Sequence, residues 1–208
     1  SSPSQVRRLI GVVPQEIALY TDLTARDNLM FWGRLHGLGG AALSRRVEEL
    51  LVMADLADQA KRRVEAYSGG MMRRLNLVAG LIHEPEVLFL DEPTVGIDAQ
   101  ARSRILELIA RLGQQGLTVI YTTHYLEEAE QLCDRIGLID RGKLVALGDK
   151  ESLISQVGDV DPMKVAEGRQ LGDPETIHYG LIPRSHRGIV AINELPDLAE
   201  RIQVAMLN

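Results

Sequence analysis

Three short segments hold side chains whose types and order suit the handling of phosphate: Tyr67-Ser68-Gly69-Gly70-Met71, then Val87-Leu88-Phe89-Leu90-Asp91-Glu92-Pro93, then Thr122-Thr123-His124. The first-turn amides of a helix have no partner within it, and the helix dipole favours anions there. A helix opening at Ser68, Gly69 and Gly70 therefore offers amides and a hydroxyl to a phosphate, and its glycines let the phosphate come close. An apolar strand ending in Asp91-Glu92 places one carboxylate to hold a divalent cation through water and a second to polarise an attacking water. His124 can donate to a terminal phosphate or orient the acidic base. Taken singly, these are a capped turn, a strand leaving the core and a loop histidine satisfied by backbone. Their succession in one chain points to phosphoryl chemistry.

The elements that must position these residues follow from periodicity and punctuation. Leu9 to Val13 is an apolar run stopped by Pro14, which cannot donate to a sheet ladder, with Gln15 the first polar side chain beyond it. Thr24 and Asp27 resemble a capping box, and Leu29, Trp32, Leu35 and Leu38 form a helical stripe before Gly37, Gly39 and Gly40. A second helix from about Leu43 carries Val47, Leu50 and Leu51, so the stretch from Gln15 to Ser68 is mostly helical. After Ser68 a helix runs through Leu75, Val78, Ala79 and Ile82, and Val87 to Leu90 reads as a central strand apolar on both faces. Asp98 caps a helix carrying Ile105, Leu108, Ile109 and Leu112; the strand Leu117 to Tyr121 follows. Strand, helix and strand imply a right-handed crossover in a parallel sheet, with ligands at the carboxyl ends of the strands, where Asp91, Glu92 and His124 fall. The fold class is α/β. Ile136 to Ile139 and Leu144 to Leu147 read as a closing hairpin.

Composition narrows the class. A formal charge of -6 in 208 residues argues against nucleic acid as a partner. The single Cys133 excludes an internal disulfide and sits in a helical pattern with Leu126, Ala129 and Leu132, which suits a buried reduced thiol. No apolar run reaches the roughly 18 residues of a membrane-spanning helix, so membrane association is expected through a partner. A start at Ser1-Ser2-Pro3 without methionine suggests a processed product or an excised piece.

The joint pattern resembles the nucleotide-binding subunit of ATP-binding cassette (ABC) transporters, of the exporter type with a Tyr-Ser-Gly-Gly-Met signature, from about Val6 to Gly148. The resemblance implies an ATP hydrolase coupled to transport across a membrane, with ATP and Mg2+ as ligands. It assigns Gln15 to the loop that senses Mg2+ and the membrane partner. Ser68, Gly69 and Gly70 fall to the signature that touches the γ-phosphate. Asp91 becomes the magnesium residue, Glu92 the catalytic base, Asp98 the loop that communicates across a dimer, and His124 the switch histidine. The implied partners are a transmembrane permease, on which the helical subdomain of about residues 21–82 docks, and a second ATPase subunit. The implied location is cytoplasmic, on the inner face of the membrane.

One part of that pattern is missing from the 208 residues: the glycine-rich Walker A loop ending in Lys-Ser or Lys-Thr. The nearest match, Gly137 to Lys143, is followed by Leu144 and lies between two predicted strands, whereas a phosphate loop needs strand, loop and helix. The chain is therefore expected to complete a partner's ATP site, the second subunit supplying Walker A, and not to bind ATP alone. A sheet without the Walker A strand is expected to expose apolar side chains. The rival expectation is a non-catalytic regulatory or interaction module. A DNA-repair ATPase with the same signature carries long coiled coils where this chain has only the segment between Gln15 and Ser68.

From about Gly158 the texture changes, which sets expected domains of 1–157 and 158–208. Segments such as His178-Tyr179-Gly180-Leu181-Ile182-Pro183-Arg184 and Arg187 to Leu198 resemble an internal slice of AAA+ ATPases related to the magnesium chelatase motor subunit. Gly188 to Ile192 reads as a buried strand ending in Asn193-Glu194, and Leu198, Ile202, Ala205 and Met206 mark an amphipathic helix; the resemblance makes Glu194 a candidate base.

Overall fold

The computed structural model describes residues 3–140, 143–149, 152–153 and 189–194. The chain divides after Tyr121 into two compact units, Ser1–Tyr121 and Thr122–Asn208. The boundary expected near residue 157 and the helix expected from Leu198 lie outside the described residues.

In the first unit, helix α1 (Pro3–Leu9) leads into strand β1 (Ile10–Val13), and helices α2 (Ala25–Leu35) and α3 (Gly40–Met53) follow. Single 3-10 turns at Ala57–Gln59 and Val64–Ala66 precede α4 (Gly69–Ala79), β2 (Val87–Asp91), α5 (Ala99–Gln114) and β3 (Thr118–Thr122). β1 and β2 pair in parallel, from Ile10 opposite Val87 to Val13 opposite Leu90, and β2 lies between β1 and β3. The α/β reading and its parallel pairing stand.

Capping explains where the helices begin. Thr24 accepts from the Asp27 amide through its hydroxyl, and the same hydroxyl donates to the Asp27 carboxylate at 2.6 Å, so Thr24 opens α2 as its composition predicts. Gly37, at φ 82°, takes the left-handed conformation that stops α2, where a side chain would be strained. Leu43, Val47, Leu50 and Leu51 are buried along α3, but that helix begins at Gly40 and not at Leu43. α4 ends at Ala79, earlier than the stripe to Ile82 predicts; Ile82 is buried from the turn that follows. Leu35 belongs to the α2 stripe yet is 65% exposed, because it lies in the last turn of α2, beyond the buried Gly33.

The sheet departs from expectation on one face. Val13, Leu88 and Leu90 are buried, and Gly80, just past α4, lies against Val13 and Leu88. Val12 and its register partner Phe89 point the other way and are 62% and 37% exposed. Alternation along a strand puts neighbours on opposite faces, so helices covering one face leave the other open. β2 is apolar on both faces, as its sequence indicates, but among the described residues only one is fully covered.

The second unit holds α6 (Leu126–Leu132), β4 (Arg135–Asp140), β5 (Lys143–Gly148) and β6 (Ile189–Glu194). β4 and β5 form the expected antiparallel hairpin, with a register shift between Leu138 and Ile139. β6 runs parallel to β4, Arg135 opposite Val190 and Ile139 opposite Glu194. Cys133 caps the carboxyl end of α6 and is half-buried, less covered than Glu128 and Ala129 inside that helix. Burial, then the Asp134 and Glu128 carboxylates, push its thiol up to about 12. Among the described residues no helix is long and apolar enough to cross a membrane.

Two histidines join α2 to the sheet. His36 stacks flat on His83, ring centroids 3.9 Å apart and planes 2° from parallel, and His83 Nε2 lies 3.0 Å from the Ile10 carbonyl. A carbonyl only accepts, so Nε2 donates to it, while Nδ1 of His83 is buried without a partner. Partial burial, then His83, lowers the pKa of His36. A lowered folded value means that the unfolded chain takes up the proton first. The contribution is therefore complete above the ordinary value of about 6.5 and is lost as pH falls from there towards the folded value. Thermal melts should show a falling melting temperature between about pH 7.5 and pH 5.5, with a shallower fall for His36→Asn. At about pH 8, iodoacetamide should label Cys133 at least tenfold more slowly in the folded chain than in urea.

Candidate functional site

Ser68 opens α4 as its cap, the hydroxyl accepting from the Met71 amide at 3.3 Å. The two glycines that follow differ in their reasons. A side chain at Gly70 would meet the Ala101 Cβ at 2.5 Å, so α4 and α5 approach closely only because this residue lacks one. Gly69 has open space where a side chain would stand and is exposed, as is Ser68. Tyr67, just ahead of them, turns inward, its hydroxyl donating to the Gln59 carbonyl at 2.7 Å. Burial raises its pKa, against a smaller opposing effect of Arg62.

β2 ends at Asp91, which is exposed, and Glu92 follows in the left-handed region at φ 42°. That conformation is uncommon for a residue with a side chain and accompanies a sharp turn, closed by the Val95 amide donating to the Glu92 carbonyl at 3.2 Å. Gln15 leaves the end of β1 just after Pro14, and its Nε2 donates to Glu92 Oε2 at 3.0 Å. Parallel pairing of β1 with β2 puts both loops at the same edge, which is how residues 77 apart in sequence meet. Asp98 caps α5, its Oδ1 accepting from the Ala101 amide at 2.9 Å.

His124 lies in the second unit, its ring centroid 4.0 Å from that of Tyr125. The backbone there is held by Thr123, whose hydroxyl accepts from the Tyr125 amide and donates to Glu128 Oε2, both at 3.0 Å. Within the first unit, then, the structure joins Gln15 to Glu92 directly and sets Asp91 beside them. Ser68, Gly69 and Gly70 stand at the head of α4 and Asp98 at the head of α5. The segment Gly137 to Lys143 spans the β4–β5 hairpin, a context that does not provide the helix a phosphate loop requires.

Sequence reasoning missed the side chains that hold these loops. Arg73 on α4 donates to the Gln15 carbonyl and, at 3.2 Å, to that of Val95. One turn on, Asn76 accepts from the Ala18 amide at 3.1 Å and donates to the Pro14 carbonyl at 3.5 Å. Asn28, fully buried in α2, accepts from the Tyr20 amide at 2.8 Å and donates to the Tyr20 and Thr24 carbonyls at 2.9 and 3.0 Å. For Asn28 the available signal was a polar residue beside the apolar stripe of α2; Arg73 lies on the side of α4 away from the Leu75, Val78 and Ala79 stripe and offered none.

Residues 1–95 match the ABC transporter family model. The linearmycin resistance ATP-binding protein of Bacillus subtilis is 52% identical over 155 residues, 74% of this chain and 50% of that protein. The doxorubicin resistance ATP-binding protein of Mycobacterium tuberculosis is 42% identical over 193 residues, 91% of this chain and 58% of the relative. Among solved structures, an ATP-binding subunit of an ABC transporter superposes with a TM-score of 0.65 at 28% identity, covering 76% of this chain and 65% of the other. A post-hydrolysis dimer of an ATP-binding cassette bound to ADP and Pi superposes with a TM-score of 0.61 at 27% identity, covering 70% of this chain and 65% of the other. The chain carries an ABC transporter ATP-binding domain. It spans about half the length of the curated relatives it matches.

In this ABC domain, buried side-chain amides and exposed caps are separable by stability. Asp98→Ala, which removes an exposed cap, should cost about 1 kcal/mol. Asn28→Ala strands several backbone groups in the interior and should cost more, about 2–3 kcal/mol, both read from urea midpoints at constant slope.

Proposed function

We propose that the chain is the signature-bearing part of an export ATPase, in which Glu92 acts as general base on the water that attacks the γ-phosphate of ATP. The Gln15–Glu92 hydrogen bond carries this reading: it aims a carboxylate at the strand ends and ties it to the loop that the family resemblance assigns to Mg2+ sensing. Asp91 and Gln15 offer an exposed carboxylate and a carboxamide oxygen, hard donors that suit Mg2+ with its retained waters. The ion would supply charge neutralisation on the phosphates. Gln15 orients Glu92, Ser68 and Gly69 present a hydroxyl and an open helix start to a γ-phosphate, and Gly70 lets α4 approach α5. Asp98 holds the head of α5, where the resemblance places communication across the dimer, and His124 serves as the switch donor to the phosphate.

On this proposal the signature completes an ATP site whose Walker A comes from a second ATPase subunit, and the 208 residues alone do not hold ATP. The helices between Gln15 and Ser68 dock on a permease, which brings the ATPase to the inner face of the membrane. The names of the relatives, resistance proteins for linearmycin and doxorubicin, favour a drug as cargo. For residues 158–208 the AAA+ resemblance is retained as a proposal. The 91% match to the Mycobacterium relative, which must extend past residue 157, favours the competing reading that the tail continues the ABC protein.

Fusing the amino-terminal portion of the Bacillus relative ahead of Val6 tests the ATPase reading. The fusion should bind ATP and hydrolyse it with Mg2+, and Glu92→Gln should lower turnover at least about 100-fold while leaving ATP binding in place. A fusion that folds yet ignores ATP would sink it, and turnover untouched by Glu92→Gln would remove Glu92 as the base. The non-catalytic alternative rests on the absent Lys-Ser/Thr loop, and turnover by the unfused chain that Glu92→Gln abolishes would refute it.

A further inference from the structure

Arg73 is only 7% exposed, and its charge is not met by an ion pair among the described residues. Burial lowers its pKa, and its Nε is buried without a partner. An arrangement of this kind costs stability, since a buried charge wants a counter-charge or full hydrogen bonding. What the guanidinium does instead is divide its two terminal nitrogens between two loops: one donates to the Gln15 carbonyl, the other to the Val95 carbonyl. The planar fork of arginine has the reach and fixed geometry for this, and an ammonium does not.

Both carbonyls sit beside the chemistry. Gln15 gives its side chain to Glu92, and Val95 closes the turn that sets the backbone of Glu92. Arg73 itself stands three residues after Gly70 on α4, so the two share a helix face one turn apart. Asn76, the next polar side chain on α4, holds only the loop after β1. Arg73 alone, among the described residues, connects the signature helix to both sides of the Gln15–Glu92 contact.

We infer that Arg73 is a positioning residue that fixes Gln15 and Glu92 from the signature helix, so that a phosphate engaging Ser68 and Gly69 is felt at Glu92 of the same chain. The coupling to phosphate rests on the ATPase reading; the clamp itself does not. A displacement of α4 passes through a rigid fork to both loops together, and the carboxylate and its partner move as a unit.

Hydrogen exchange on the 208-residue chain, followed by mass spectrometry over residues 14–19 and 92–97, tests the clamp. Arg73→Met should speed exchange about tenfold or more in both segments while α5 keeps its protection. Asn76→Ala should loosen 14–19 alone. Arg73→Lys, which keeps the charge but reaches a single carbonyl, should restore one segment and not the other; it also decides the matter if the methionine variant does not fold. Unchanged exchange over 92–97 in Arg73→Met, or full protection of both segments in Arg73→Lys, overturns the inference. In the ATP-hydrolysing fusion, Arg73→Lys should lower kcat about tenfold and leave KM for ATP within about twofold, a split that loss of global stability would not produce. A fusion without turnover removes the ATPase reading and leaves the exchange result to decide the clamp. Equal loss in kcat and in ATP binding would count against positioning.

Discussion

A backbone that leaves a strand gives up its ladder partners, and the loops after β1 and β2 leave theirs where the candidate chemistry is. Their carbonyls and amides must be met by something other than sheet. Helix α4 meets them with side chains: Arg73 takes the carbonyls of Gln15 and Val95, and Asn76 takes the carbonyl of Pro14 and the amide of Ala18. Arg74, on the adjoining face, donates to the Ala54 and Asp55 carbonyls and pairs with the Asp55 carboxylate. The helix that begins with the signature is thus the frame to which the loops at the strand ends are pinned, and to which the end of α3 is also tied. The position of Glu92 depends on this before it depends on any ligand.

Where the helices begin is a matter of local sequence, whereas the contacts that pin the loops to α4 span about 20 to 60 residues. Thr24, Ser68 and Asp98 announce helix starts because a cap is a contact between residues three apart, which a linear reading can see. The order of strand, helix and strand is readable for the same reason. The Gln15–Glu92 contact spans 77 residues, and only the family resemblance put both residues near one ligand beforehand. Arg73 and Asn76 read as ordinary polar helix residues, since nothing in their neighbours tells which carbonyl they will meet. Gly69 and Gly70 look alike in sequence, and the structure separates them through Ala101, a residue of another helix.

The open face of the sheet belongs to the same argument. A strand such as β2, apolar at every position before Asp91, is built to be covered on both sides, and here Val12 and Phe89 remain accessible side by side. Covering that pair would add the burial of two large side chains, each worth about 1.5–3 kcal/mol when fully removed from water. The stretch of this chain that aligns is about half the length of the curated relatives. Apolar area of this kind is what a second layer or a second chain would use.

The conformation of Glu92 has an evolutionary side. A residue with a side chain in the left-handed region costs of order 1–3 kcal/mol that glycine would not. Random substitution at this position is therefore biased: the variant that relaxes the backbone is also the one that deletes the carboxylate. A lineage drifting without selection on that carboxylate would gain stability by replacing Glu92 with glycine. If Glu92 is the base proposed above, the identity of residue 92 reports, across related chains, whether that carboxylate is still under selection.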